Sequence, residues 1–370
     1  MTHSMNMKRT LYSLLATAVV LLLTAVDCHE NDPIIDPTDI TFTYGGYFLN
    51  SGQPGRGDAE LTQLNTLQSS VTPRAFGIYN DGKALGDKAT DIHILGNKLY
   101  VTLSGSRQIR VIDKFNCKEI ATISVASEET GNPLTPNYLT SFEEALIVSF
   151  EEGYLARIDT VNFKPSLIVP VGDAPRQITI ANQKLYVVNA LDGSNPGHVV
   201  QMLNPVDLHV MKNIEVAPNP EVLVMDPADG GDLYLISSGD GTTPACFQRI
   251  DSDSEAVTVI QEVTAPRMVA AGTDKALVIY AEDHKDDLGG RFYVFNTDNQ
   301  RIEGEFIRDG SYVRNPCMVV VDQNAGTVYI AENAGSYAGT IYIYTSYGQY
   351  LTSFNTGAAN PCAAAFVTGR

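Results

Sequence analysis

The sequence has no tryptophan, which removes one common device for stacking on sugars and leaves tyrosine to do such work. Basic residues are scarce: 25 Lys and Arg stand against 43 Asp and Glu, for a net charge of −18. Affinity for nucleic acid comes from cations that neutralise phosphates, so a nucleic-acid partner is excluded. Five cysteines in 370 residues exclude a disulfide-dense miniprotein. Charged residues make up only 18%, against 44% hydrophobic, which excludes intrinsic disorder. No stretch after the N-terminus sustains a helical apolar stripe. Gly-Xaa-Ser-Xaa-Gly, zinc and phosphate-loop motifs are missing, and His93, His198, His209 and His284 show no paired metal spacing. Enzymes also assemble sites from distant segments, so the lack of a local motif removes only the motif-borne ones.

What is present begins with an export signal. Lys8 and Arg9 precede an uncharged, mostly apolar run from Thr10 to Val26, the pattern of a secretory signal; as a membrane span it is short. The run ends at Ala25-Val26-Asp27-Cys28, as in bacterial lipoprotein signals, although Asp27 departs from the small residue usual before the lipidated cysteine. Cys28 is therefore expected to carry lipid. The acidic, proline-broken stretch that follows suits an extended tether. This divides the chain into a signal peptide (1–27), a lipidated tether (28–40) and one folded domain (41–370).

Self-similarity fixes the expected architecture of that domain. An apolar triplet recurs seven times, at Tyr47, Leu99, Leu146, Leu185, Leu233, Leu277 and Val328, at intervals of 39 to 52 residues. Each copy sits within four short alternating strands, in the second repeat about Asp91–Leu95, Lys98–Leu103, Gln108–Ile112 and Ile120–Val125. Four strands at this period predict a seven-bladed β-propeller, all-β, with antiparallel strands. A pair of β-sandwiches would not repeat one triplet seven times. An Xaa-Pro step precedes the innermost strand at Pro136, Pro175, Pro220, Pro266, Pro316 and Pro361, where proline sets an extended turn and opens a strand without having to donate into a ladder. The first blade has no such step before it and the last copy has no hairpin after it. The C-terminal strand is thus expected to complete the first blade and close the ring.

In such a blade the turns between first and second and between third and fourth strands lie on one face, and here they are short. Loops from second to third strand lie on the other and are long: Asn50–Asp58, Asn189–His198, Ser237–Cys246, Ala281–Arg291 and Glu332–Thr340. One elaborated rim on a rigid scaffold is where binding residues concentrate, though tolerated insertions look the same in sequence. Residues after the proline marks are expected to ring the channel mouth: Asn137, Tyr138, Arg176, Glu221, Arg267, Cys317 and Cys362. Two guanidiniums there need anionic or carbonyl partners, either a ligand or a neighbouring carboxylate such as Glu221. Asp192, Asp240, Tyr280, Asp283 and Tyr337 complete the expected ligand face, Asp192 and Asp240 as turn residues first. Glu282-Asp283-His284-Lys285-Asp286-Asp287 gathers carboxylates but lacks the glycine-centred register of a calcium hand, and no metal is expected. Cys317 and Cys362 share one repeat position, so a disulfide and two buried free thiols are both open. Cys117 and Cys246 fall in different blades.

The cadence Xaa-Pro, strand, Leu-Tyr-Val, strand, Val-Ile-Asp, spanning roughly Thr41 to Val367, resembles the YncE-like seven-bladed propellers. Joined to a lipoprotein signal and an acidic tether, it resembles the BtuG-type surface lipoproteins of Bacteroidetes. That resemblance implies capture of cobalamin, taken as a ligand and not as a cofactor, and its transfer to an outer-membrane transporter from a site on the cell exterior. The shared motifs describe blades, so no ligand residue carries over individually. The expected activity is binding without turnover, in a protein that is not an enzyme. A propeller enzyme of lactonase or quinoprotein type, or a protein- or glycan-interaction platform, are the competing classes.

Overall fold

The structure, a computed structural model, describes residues 41–193, 195–228, 231–282 and 290–369. The signal, the tether, Cys28, Asp283 and the rest of the acidic loop after Glu282 lie outside the described residues.

Thr41–Gly369 forms one compact unit of seven four-stranded antiparallel sheets. In six blades the strands follow chain order from the inside outwards; the second blade, for example, runs Ala89–Leu95, Lys98–Leu103, Gln108–Asp113 and Glu119–Ile123. The first blade takes its innermost strand from the far end of the chain. Pro361–Gly369 pairs with Phe42–Asn50 from Phe42 opposite Gly369 to Asn50 opposite Pro361. The ring is closed as expected, and it buries what would be an open sheet edge.

Seven hydrophobic clusters form the core, one between each pair of neighbouring blades. Both faces of each sheet are covered, so the second strands read as continuous apolar runs: Ala145–Phe150 is buried at every position. Pairing also corrects the register of the first repeat. The residue three before the one facing the inner strand's start is Tyr47, Tyr100, Tyr186, Tyr234 or Tyr329 in five blades. Tyr47 therefore matches Tyr100 and not Leu99, and the first triplet sits one residue out. The single helix among the described residues, Ala75–Tyr79, follows the three-residue outer strand Ser70–Thr72 and buries Ala75 and Phe76 against the first and second blades.

Much of the acidity is structural. Asp113 and Asp159 each end a third strand and accept backbone N–H groups two and three residues on, at 2.7–3.1 Å. Asp87 holds Gly55 N at 3.0 Å and so pins the loop after Asn50. The Asp113 and Asp159 bonds are Asx turns, which hold a chain reversal without a core of their own.

The connections into the inner strands differ from the extended turn expected at Xaa-Pro. Lys88, Ala174, Asn219, Ala265, Asn315 and Asn360 are left-handed, with φ between 45° and 58°. Only the β-branched Thr135 avoids this region, where its side chain would clash. Its amide and hydroxyl both bond the Glu152 carboxylate, at 2.8 and 2.7 Å. In all seven blades the carbonyl of this pre-strand residue accepts the N–H of the residue that follows the one facing the inner strand's start: Ser51, Ser104, Glu151, Ala190, Ser238, Glu282 and Asn333. One backbone bond thus sets, in every blade, which side chain stands beside the channel-mouth residue.

Candidate functional site

Inner strands begin with a bulge in every blade, as at Pro136/Leu139, Pro175/Ile178 and Pro266/Met268. A bulge re-aims side chains, and here it separates the first residues of the strand from the ladder. The freed groups stitch neighbouring blades together. Asn137 donates to Pro175 O at 3.2 Å and Cys317 to Pro361 O at 3.2 Å, while Cys362 reaches Ala89 O at 3.7 Å. Cys317 and Cys362 are therefore free thiols occupied by carbonyls of the next strand, and Cys117 and Cys246 are free as well. Burial pushes the Cys317 thiol up to about 12 and Cys362 further, which makes both poor nucleophiles.

One step deeper, Asp91 accepts Leu139 N at 2.8 Å across the seam between the second and third blades. Gln177 makes the same bond to Leu223 N at 2.9 Å across the next seam but one. Asp91 is largely enclosed by protein, and loss of solvent raises its carboxyl to about 7. His93, below it, contacts Ser141 Oγ at 2.9 Å, and burial holds its imidazole down at about 4.

Tyr138 stands at the centre of the charged groups. Its phenol is raised to about 12, first by burial, then by Asp91, Cys362 and Glu221, with Arg176 opposing them. Residues from five blades thus lie within electrostatic reach of one another at this mouth, and Arg267 in the sixth blade adds to them through Glu221. The two arginines differ. Arg267 grips Glu282 with Nε to Oε1 at 2.8 Å and a second nitrogen to Oε2 at 3.2 Å. Its structural partner is Glu282, not Glu221, which instead accepts Ser238 Oγ at 2.9 Å. Arg176 is exposed and its guanidinium has no hydrogen-bond or ion-pair partner among the described residues.

Other expected contacts fall elsewhere on this rim. The stretch around Asp192 is not a loop: strands Lys184–Asp192 and Asn195–Leu203 carry their pairing out to Asp192 opposite Asn195. Asp240 is exposed and accepts Thr242 N and Thr243 N at 2.9 and 2.7 Å, which lowers its pKa and ties it to its own turn. Tyr337, 78% exposed, tips a loop joined to the first blade by Gln53 Nε2 to Gly335 O at 3.2 Å. Tyr280 lies in the strand Ala276–Ala281 rather than a loop and packs on Phe292 at 4.8 Å. With Ile307, Tyr312 and Val313 it lines a cavity of 490 Å³, and its phenol is raised by burial, then by Tyr312 and Glu282, with Arg267 opposing them. Asp91, Gln177 and Tyr312 were not singled out from sequence. The first two stand two places into their strands at Ala89 and Pro175, a signal available only once the seven repeats are aligned by their inner strands.

No protein-family model and no curated protein sequence matches the chain. Among solved structures it is similar to a functionally unknown protein from Desulfotomaculum acetoxidans, with TM-score 0.62 and 11% identity over 88% of this chain and 99% of the other. A protein from Lactobacillus plantarum gives TM-score 0.61 and 15% identity over 88% and 100%. Dihydro-heme d1 dehydrogenase NirN, in complex with DHE, gives 0.57 and 10% over 93% and 78%. At these identities the likeness establishes the propeller fold alone.

Proposed function

We propose that the chain is a surface-anchored capture protein that binds a compact, polar-rimmed small molecule over the channel mouth, with cobalamin as the named ligand, and does not transform it. The observation that carries this is Arg176: an exposed guanidinium with no hydrogen-bond or ion-pair partner among the described residues, on a rigid ring beside Tyr138 and Glu221. An arginine so placed suits an anionic group such as a phosphate. Cobalamin is a wide, rigid disc that carries one phosphate and a fringe of amides. Asn137, Glu221 and the carbonyls of the rim are acceptors for such amides, and the Tyr280 cavity offers aromatic contact at the disc's edge. A rigid ligand on a rigid ring loses little conformational freedom on binding. Arg267 contributes less than Arg176, because Glu282 already occupies it.

The ligand identity rests on the resemblance to the BtuG-type lipoproteins. So do the lipid on Cys28, the outer-membrane location facing the exterior, and delivery to an outer-membrane transporter. Calorimetry of the purified chain with cobalamin tests the ligand. Saturable heat, weakened at least tenfold by Arg176→Ala with an unchanged melting temperature, supports the reading. No heat at tens of micromolar ligand removes cobalamin and favours a protein-interaction platform.

A further inference from the structure

The fourth blade holds a second, separate cavity of 290 Å³, outward from the channel, between the connection at Gly172 and Asp173 and the outer strands. Its floor is Asn189. This side chain is 4% exposed, and its Oδ1 has no hydrogen-bond partner among the described residues. Leaving a carboxamide oxygen buried and unpaired costs about 1–3 kcal/mol, so such groups are rare without a use. Asn50 holds the same place in the first blade, opposite the inner strand's first residue, and its Oδ1 is unpaired as well, while its Nδ2 bonds Glu60 O at 3.2 Å and Thr62 Oγ1 at 3.1 Å. What sets Asn189 apart is the cavity it lines.

The surroundings keep Asn189 open to a ligand. A bulge between Asn189 and Leu191 turns the strand onto the connection, where Leu191 N meets Asp173 O at 3.4 Å. Gly172 and Gly197 line the space and neither tolerates a side chain. A Cβ on Gly172 would stand 2.6 Å from Asn189 Cγ, and one on Gly197 would stand 2.3 Å from Asn189 O. Gln201 is held in place, with Oε1 accepting Gly172 N at 3.3 Å and Nε2 donating to Asn213 Oδ1 at 3.3 Å.

The lining selects a ligand class. It contains no Lys or Arg, which disfavours an anion. Its one carboxylate, Asp173, is exposed and accepts Gly193 N at 2.8 Å, and His198 faces Glu215 at 3.4 Å, so a single solvated carboxylate is all that could hold a cation. Its apolar side chains are Leu191 and Val199, too few for an apolar ligand. Three carboxamides and a carboxylate are what vicinal hydroxyls need, since each hydroxyl both donates and accepts. The volume sits at the small end of ligand pockets, where a single sugar ring fits. We propose that this cavity is a carbohydrate subsite taking one neutral pyranose residue, with Asn189 as its buried acceptor. It does not depend on the cobalamin reading.

Saturation-transfer NMR on the full chain, with methyl glycosides of glucose, galactose and mannose, is the test, with methylammonium and acetate as charged alternatives. At least one glycoside should bind saturably, and Asn189→Leu and Gly172→Ala should each weaken it tenfold or more. Asn189→Leu should also melt no lower than the parent, because it removes an unpaired polar group; a clear loss of melting temperature would make Asn189 structural and overturn the site. Asn189→Ser, which adds no volume, supplies the same readout if the larger changes prevent folding. No saturable glycoside, preference for either ion, or glycoside binding unchanged in the variants also overturns it. Arg176→Ala should leave glycoside binding intact, which separates this outcome from the fate of the cobalamin assignment.

Discussion

The fourth and sixth blades carry the same residue at the same place, Arg176 and Arg267, each following the proline that starts the inner strand. Their fates differ because of one neighbour. The backbone bond from the residue after the one facing the proline to the residue before the proline places Glu282 beside Arg267 and Ala190 beside Arg176. In the fifth blade the same geometry sets Ser238 against Glu221. A repeat scaffold thus decides which positions meet, and the residue types decide whether a meeting consumes a charge or leaves it for a ligand. Ala190 leaves it.

The comparison can be broken most severely by opening the ring that holds both blades in register. A chain lacking Asn360 to Arg370 removes the inner strand of the first blade and uncovers the edge of Phe42–Asn50, so it should aggregate or melt far below the parent. A truncated chain with unchanged melting temperature and no aggregation in light scattering would show that closure is not needed.

Giving the fourth blade the sixth blade's neighbour is more selective. Ala190→Glu should pair Arg176 as Glu282 pairs Arg267 and cut cobalamin binding by tenfold or more in calorimetry; Ala190 is 4% exposed, so the variant's melting temperature is measured beside its affinity. Retained affinity would mean that Arg176 does not meet the ligand. Glu282→Ala is the converse and should have a smaller effect. It frees Arg267, costs the exposed ion pair about 0–1 kcal/mol of stability at most, and should hold or modestly raise affinity for an anionic ligand. A loss of binding would instead give the pair a part in holding the ligand.

The smallest effect concerns pH. Asp91 and Gln177 make the same bond across two different seams, but only Asp91 titrates. Its folded pKa, about 7, lies above the ordinary carboxylate value, so the folded chain holds a proton that the unfolded chain has released. Stability from this group is present below the unfolded pKa and declines as pH rises from about 4 to about 7, then levels off. Asp91→Gln should flatten that part of the melting profile and gain most above pH 7. An identical pH profile in the two proteins would show that Asp91 is not held neutral.

The all-β class, the seven repeats, the proline-marked inner strands and closure by the C-terminal strand were legible in the sequence. They follow from local chemistry: strand periodicity, turn residues and a proline that cannot donate into a ladder act wherever they stand in the chain. The first repeat was read one residue out, because Tyr47-Phe48-Leu49 is apolar in any register and only cross-strand pairing separates the choices. The left-handed step before proline was hidden as well, since Ala174 and Ala265 do not announce it. The hairpin carried out to Asp192 and Asn195, the partner of Arg267, the inter-blade bonds of Cys317 and Cys362, and the unpaired oxygen of Asn189 were decided only by tertiary structure. Each depends on distances between segments that the sequence orders along the chain but does not place in space.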